Sequence, residues 1–229
     1  MTYQAIERAL PRFLRRYVLH FEAAIEDALT DFAAALAPGA RVLDAGAGER
    51  VHAKYFTAGR YVAVDLAVGD DTWNYGKLDA VADLTALPFP DRCFNACINI
   101  VTLEHIREPG CALREMARTM AADGRLLLIV PHEWEVHQSP HDYYRYTRYG
   151  LDYLLTKAGF SDFTIQPVGG YFRLMSRRLL NGLQFFPGPL FFLAALFLAP
   201  PALILPWFDS LDRERNFTLG YICTARKRS

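Results

Sequence analysis

The chain of 229 residues has little to hold it together covalently: four cysteines, Cys93, Cys97, Cys111 and Cys223, none in a Cys-x-x-Cys pair. Such cysteines read as reduced, small apolar residues of a cytoplasmic protein. Net charge is absent too, with 25 Lys and Arg balanced by 25 Asp and Glu. That balance excludes a broad nucleic-acid-binding surface, because neutralising phosphates takes clustered, uncompensated cations. The start, Met1-Thr2-Tyr3-Gln4-Ala5-Ile6-Glu7-Arg8, lacks the basic residues and apolar run of a signal peptide, so export is not expected. The length suits one substantial core and not two comfortable domains.

What is present begins at Arg41-Val42-Leu43-Asp44-Ala45-Gly46-Ala47-Gly48, an apolar strand running into an acid and two glycines. In open parallel sheets ligands bind outside the carboxyl ends of the strands, and glycine lets the main chain approach them closely. The Asp-x-Gly-x-Gly spacing lacks the third glycine of the dinucleotide fingerprint and puts its acid before the turn, which disfavours a nicotinamide enzyme. A second short run, Tyr61 to Val64, ends in Asp65, 21 residues after Asp44, about where an acid meets ribose hydroxyls in doubly wound sheets. A third acid, Asp83, follows a third run, and Phe94 to Ile100 reads as a fourth strand. The alternation of strands and helices predicts a doubly wound α/β sheet.

Asp44-Ala45-Gly46-Ala47-Gly48, Asp65, the segment Asp83 to Phe89, Thr102-Leu103-Glu104-His105 and the segment Gly124 to Pro131 together resemble the class I S-adenosylmethionine-dependent methyltransferases, specifically the type 11 group, over about residues 38 to 168. The resemblance implies a Rossmann-like sheet of seven mostly parallel strands with an antiparallel last strand. It implies S-adenosylmethionine as cofactor, its methionine part at Asp44, Gly46 and Gly48, its ribose at Asp65 and its adenine between Asp83 and Leu84. Two positions depart from the pattern: Asn95 replaces the usual Asp, and Ala122-Asp123-Gly124 replaces Pro-Gly-Gly. Both support the scaffold more than the chemistry.

Around this domain, assigned to 38–229, lie two further features. Residues 1–37 carry apolar positions at helical spacing and read as two helices or one broken near Pro11; Arg12, Arg15 and Arg16 cluster there, as a solvated face or an anion contact. An insertion over about 169–218 separates the last two strands, the final one expected at Leu219 to Ala225. Within it Phe185 to Phe208 holds no charged or amide side chain but includes Pro187, Pro189, Pro200, Pro201 and Pro206. Prolines break helices, so the longest helix is expected over Leu190 to Ala199, about 15 Å at 1.5 Å per residue and half of a hydrocarbon core of about 30 Å. A hairpin dipped into one leaflet at the inner face of the membrane, a lid over an apolar substrate and a homodimer contact remain open beside simple packing. Arg177, Arg178, Arg213 and Arg215 flank the segment and would suit anionic headgroups.

Methyl transfer from a sulfonium needs alignment more than acid–base help: positioning supplies about 7 to 11 kcal/mol against about 3 to 5 for a general base. Candidates for a base cluster between His132 and Thr147, where His137, Pro140, Asp142, Tyr143, Arg145, Tyr146 and Thr147 match an element of type 11 relatives. His137 or His141 is expected as base, Asp142 as orienter and Arg145 as the clamp of an anionic or carbonyl group. The competing reading pairs Asp142 with Arg145 to fix the loop and makes Thr147 a helix cap. His105, just beyond the fourth strand, is a second-rank candidate. His132, His137 and His141 with Glu133 are metal-ligand types, but their spacing fits no closed zinc pattern and no metal is expected. The acceptor is expected to be a small or lipid-linked molecule, and a catalytically silent cofactor-binding scaffold is the alternative.

Overall fold

A computed structural model describes residues 11–69 and 72–228, the side chain of Arg12 excepted. The helical positions expected at Ile6 and Leu10, and the Arg12 side chain, lie outside the described residues. In chain order come α1 (Arg12–Val18), α2 (His20–Ala34), β1 (Arg41–Ala45), β2 (Arg60–Asp65), β3 (Ala80–Val81), β4 (Phe94–Ile100), α3 (Pro109–Thr119), β5 (Met120–Pro131), α4 (Arg148–Lys157), β6 (Phe160–Val168), α5 (Tyr171–Gly182), α6 (Pro189–Ile204) and β7 (Gly220–Lys227).

The seven strands form one sheet in the order β3-β2-β1-β4-β5-β7-β6. Pairings among β1 to β5 are parallel, with Asp44 opposite Ala63 and Ile98, and Asp65 opposite Val81. The last pair runs antiparallel: Arg228 N donates to Gly159 O, Thr164 and Thr224 share a hydroxyl hydrogen bond, and Leu219 N donates to Val168 O. Strands β4 and β5 are apolar without alternation because both faces are covered; Ile98 and Leu126 through Val130 are fully buried. The order reverses between β1 and β4, the switch point at which a doubly wound sheet opens a crevice.

Both departures from the family pattern have structural reasons. Asn95 Oδ1 accepts from Arg41 N at 2.9 Å, tying β4 to the start of β1. Asp123 adopts φ 58° in the tight entry to β5, a conformation that Asp tolerates better than most residues.

The chain divides into two compact units, one of residues 1–26 and 167–220, the other of 27–166 and 221–229. Pro11 stands at the N-cap of α1, and α1 ends at its C-cap Leu19. Inside the first unit the expected stop at Ala199 is overturned. Helix α6 continues through Pro200 and Pro201 to Ile204, and a 3-10 segment extends it to Leu211. Tertiary partners make the continuation tolerable. Pro206 removes the N–H that would bond the Ala202 carbonyl, and Ser176 Oγ donates to that carbonyl instead at 2.6 Å; Tyr17 Oη donates to Leu203 O at 2.7 Å. Asp209, buried in the same unit, accepts from Gly170 N, Arg173 N and Arg215 Nη1. Of the four flanking arginines, Arg177 forks onto Glu22 at 3.0 and 3.1 Å, and Arg215 pairs with Asp209 at 2.9 Å.

Ser176→Ala would leave the buried Ala202 carbonyl without its donor. We expect a loss of about 1–3 kcal/mol in urea unfolding, with the m-value unchanged.

Candidate functional site

The strand β1 ends in a turn that only glycine fits. Gly46 adopts φ 95°, and a Cβ there would stand 2.2 Å from the Thr102 side chain. Gly46 N and Ala47 N both donate to Val64 O, fastening the turn to β2, and Thr102 Oγ1 lies 3.2 Å from Gly46 O, fastening it to the loop after β4. Gly48, at φ 48°, donates its N–H to Asp65 Oδ2 at 2.9 Å, while Asp65 Oδ1 accepts from Ala67 N at 2.8 Å. Asp44 and Asp65 therefore stand on adjacent strand tips, and Asp83 follows the tip of β3. Asp83 is exposed and accepts from Thr85 N and Thr85 Oγ1, while Leu84 beside it is buried.

Asp44 is fully buried. Its Oδ2 accepts from Tyr61 Oη and lies 3.3 Å from His52 Nδ1, but its Oδ1 has no hydrogen-bond partner among the described residues. Burial and the Asp44 charge both push the Tyr61 hydroxyl far above its ordinary pKa, so that it stays a donor. A buried carboxylate oxygen lacking a donor, beside glycine backbone in the left-handed region, fits a polar ligand carrying N–H or O–H groups. Trp73, which the sequence reading missed, packs against this turn, 3.3 Å from where a Gly48 Cβ would stand. Its only sequence signal is a tryptophan in the loop after β2. The cavity lined by Leu36, Pro38, Asn95 and Gly124 is at the opposite, amino-terminal edge of the strands.

The second half of the site follows β4. Val101 holds φ 51°, an uncommon conformation for a β-branched residue that costs of order 1–3 kcal/mol. It leads into a 3-10 turn, Leu103–His105. Glu104 there is fully buried, and neither carboxylate oxygen has a hydrogen-bond partner among the described residues. Desolvation pushes its pKa up to about 8. Sequence reasoning passed over Glu104, because nothing in a Leu-Glu-His turn says that the Glu points inward.

The loop from His132 to Thr147 closes over this turn, with Tyr143 N and Tyr144 N donating to the Glu104 carbonyl. Arg145 organises it. Its guanidinium forks onto Asp142 at 2.6 and 2.8 Å and donates to the carbonyls of Trp134, Tyr144 and Glu135. The Arg145 hydrogen bonds hold the Asp142 carboxyl down at about 2, and Asp142 Oδ2 also accepts from His137 N at 2.9 Å. Thr147 accepts from Gly150 N and caps α4. Asp142 and Arg145 thus form the loop-fixing pair of the second reading.

Of the candidate bases, the structure brings His137 and His105 together and places the His141 ring elsewhere. The His137 and His105 ring centroids are 4.7 Å apart, and both Nε2 atoms approach Glu104 Oε1, at 3.8 and 3.7 Å. His141 contributes its carbonyl, 2.6 Å from His105 Nδ1, while its ring contacts Tyr143 Oη at 3.2 Å. Desolvation lowers the pKa of His105. His132 lies apart, with Nδ1 at 2.8 Å from Tyr146 O.

Residues 43–128 match the model of a family described as methyltransferase domain. Over this segment the chain is similar to class I S-adenosylmethionine-dependent methyltransferases. A demethylmenaquinone methyltransferase of Renibacterium salmoninarum is 38% identical over 99 residues, 40% of this chain and 41% of that protein. The chain spans about two fifths of the length of the curated relatives it matches. In fold, the chain is similar to the Burkholderia thailandensis 1,6-didemethyltoxoflavin-N1-methyltransferase, at TM-score 0.58 and 21% identity over 99% of this chain and 89% of that one. It is likewise similar to a SAM-dependent methyltransferase from Archaeoglobus fulgidus, at TM-score 0.59 and 14% identity over 90% and 94%.

Lysine in place of Arg145 keeps the charge but cannot serve two carboxylate oxygens and three carbonyls in one plane. Arg145→Lys is expected to cost about 1.5–3 kcal/mol and to speed hydrogen exchange across residues 132–147 of the methyltransferase domain, with the sheet amides unaffected.

Proposed function

We propose that the chain transfers a methyl group from S-adenosylmethionine to a small or lipid-linked acceptor, a quinone-like ring in particular, at the cytoplasmic face of a membrane. The observation that carries the reading is the grouping of Asp44, Gly46, Gly48 and Asp65 around the switch point of the sheet, with a buried Asp44 oxygen that lacks a donor. The family match over 43–128 supports it, and the names of the demethylmenaquinone relatives support the acceptor class.

The cofactor brings an already activated methyl group, so the protein has to align rather than activate. Backbone at Gly46 and Gly48 and the Asp44 carboxylate would hold the amino-acid end. Asp65 would take the ribose hydroxyls, and Asp83 with Leu84 would flank the adenine. Proton removal from the acceptor, where needed, falls to the side of the site where the loop from His132 to Thr147 meets the turn after β4. Arg145 acts through the loop it fixes, because its guanidinium is already engaged by Asp142 and three carbonyls.

The membrane part of the reading rests on Pro189–Leu211, with mean hydropathy 2.1 over its best window and 11% of that window buried. Phe192, Leu196, Phe197 and Trp207 expose two thirds or more of their surface. Its length, ~34 Å at 1.5 Å per residue, would cross a bilayer. Ser176, Tyr17 and the partners of Asp209 nevertheless fasten its second half into one compact unit. An orientation in the membrane plane, apolar side in the acyl boundary, fits those anchors.

Calorimetry with S-adenosylmethionine tests the first part: native protein binds, and Asp65→Ala weakens binding at least ~10-fold through lost charge-assisted hydrogen bonds. Native protein that does not bind, or a variant that binds equally, removes the reading. Transfer of labelled methyl from the cofactor into a lipid extract separates an enzyme from a silent scaffold. For the membrane part, anionic liposomes should sediment the native chain and leave a combined Phe192→Ser, Phe197→Ser, Trp207→Ser variant in solution; a native chain that never sediments refutes it.

A further inference from the structure

We infer that Glu104, His105 and His137 form a binding site for one divalent transition-metal ion of the zinc type. Three observations converge on it. Glu104 Oε1, Glu104 Oε2, His105 Nε2 and His137 Nε2 are all buried without a hydrogen-bond partner among the described residues. The ligating atoms of the three residues lie within 4.8 Å of one another, with 3.7 and 3.8 Å from the Glu104 oxygen to the two imidazoles. Both imidazoles are held at their other nitrogen: His105 Nδ1 is 2.6 Å from the His141 carbonyl, and His137 Nδ1 is 3.1 Å from the Glu135 carbonyl and 3.6 Å from Asp142 Oδ2.

The tautomers follow from those partners. A carbonyl only accepts, so each Nδ1 carries the proton and each Nε2 keeps its lone pair. Arg145 Nη2, the competing donor to His137 Nδ1, is farther away at 3.5 Å. Two lone pairs and a carboxylate, acceptors all, then face each other in a buried space. A single proton does not resolve this, because 3.7 and 3.8 Å are too long for a hydrogen bond and one proton serves one acceptor pair. A divalent ion satisfies the set together. Ligands at about 2.1 Å in tetrahedral array sit about 3.4 Å apart, so the two Glu104–imidazole distances need to close by only a few tenths of an ångström.

The donor set points to the ion. Two imidazoles and one carboxylate suit zinc and its neighbours, not magnesium or calcium, which prefer oxygen ligands. Imidazoles whose second nitrogen is bound to a carbonyl or carboxylate are the usual outer arrangement of such sites, and Asp142, fixed by Arg145, completes it. Side-chain exposure of 25% at His137, against 10% at His105 and none at Glu104, gives the ion its way in. Three protein ligands leave a coordination position open for an oxygen of a bound molecule. The sequence reading set metal aside because it tested His132, His137 and His141 with Glu133; the site takes one residue of that group and two from the turn after β4.

The test uses the full chain stripped of metal by chelation, then titrated at neutral pH with zinc chloride by calorimetry and with cobalt chloride by visible absorption. One zinc per chain and a d–d band of cobalt in a low-symmetry nitrogen and oxygen field are expected. His137→Ala should weaken zinc binding by more than the ~10–100-fold typical of losing an outer partner, while His132→Ala leaves it unchanged. Glu104→Gln should lose metal yet match or exceed the thermal stability of the metal-free native chain, since the amide removes a buried charge and can donate to an imidazole; that outcome excludes mere unfolding. Native protein that takes up neither ion, or His137→Ala that binds zinc as tightly as native, overturns the site. Because the readout is metal binding and not methyl transfer, its failure leaves the cofactor calorimetry unaffected.

Discussion

The left-handed turn at Gly46 is the point on which the methyltransferase domain depends. Its main chain bonds to Val64 on β2 while its missing side chain makes room for Thr102 beyond β4. Any Cβ would push apart the two loops that border the switch point. With the turn held, the Gly48 N–H reaches Asp65, and Asp44 is buried beside it. Close packing in the strands below, with Leu43, Ile98 and Leu127 fully buried, makes the positions of the tips stiff.

Burial gives the same chemical group different tasks around this turn. Asp83 faces water and organises its own loop through Thr85. Asp142 is held charged by a guanidinium fork, and Glu104, with no donor at all, is driven toward its neutral form unless a cation joins it. The loop from His132 to Thr147 is therefore a carrier: its charges are consumed in fixing a backbone path, and that path delivers one imidazole, His137, to the turn after β4.

The apolar helix of the other unit shows how context overrides a local rule. Pro200, Pro201 and Pro206 each remove a backbone donor, and alone they would stop the helix. A serine hydroxyl on α5 and a tyrosine hydroxyl on α1 supply carbonyl partners from outside the helix. Nothing in the composition of the segment announces those partners, because they come from residues 26 and 186 positions away.

The sequence alone determined what is local. Asp44 through Gly48, the 21-residue step to Asp65, the strand at Phe94 to Ile100 and the cap at Thr147 are set by turn stereochemistry and by strand and helix periodicity, which act over a few residues. Element limits were less legible: β5 starts at Met120 rather than Leu126, since an irregular entry at Asp123 hides its first residues. Only the tertiary structure decided which side chains face each other. Glu104 and His137 are 33 residues apart and meet because the Arg145 fork folds one loop onto another. Trp73 reaches Gly48 through the same kind of long-range packing. Burial is a property of the assembled core, so whether a glutamate is a solvated charge or an unpartnered ligand is settled only when the chain around it has closed.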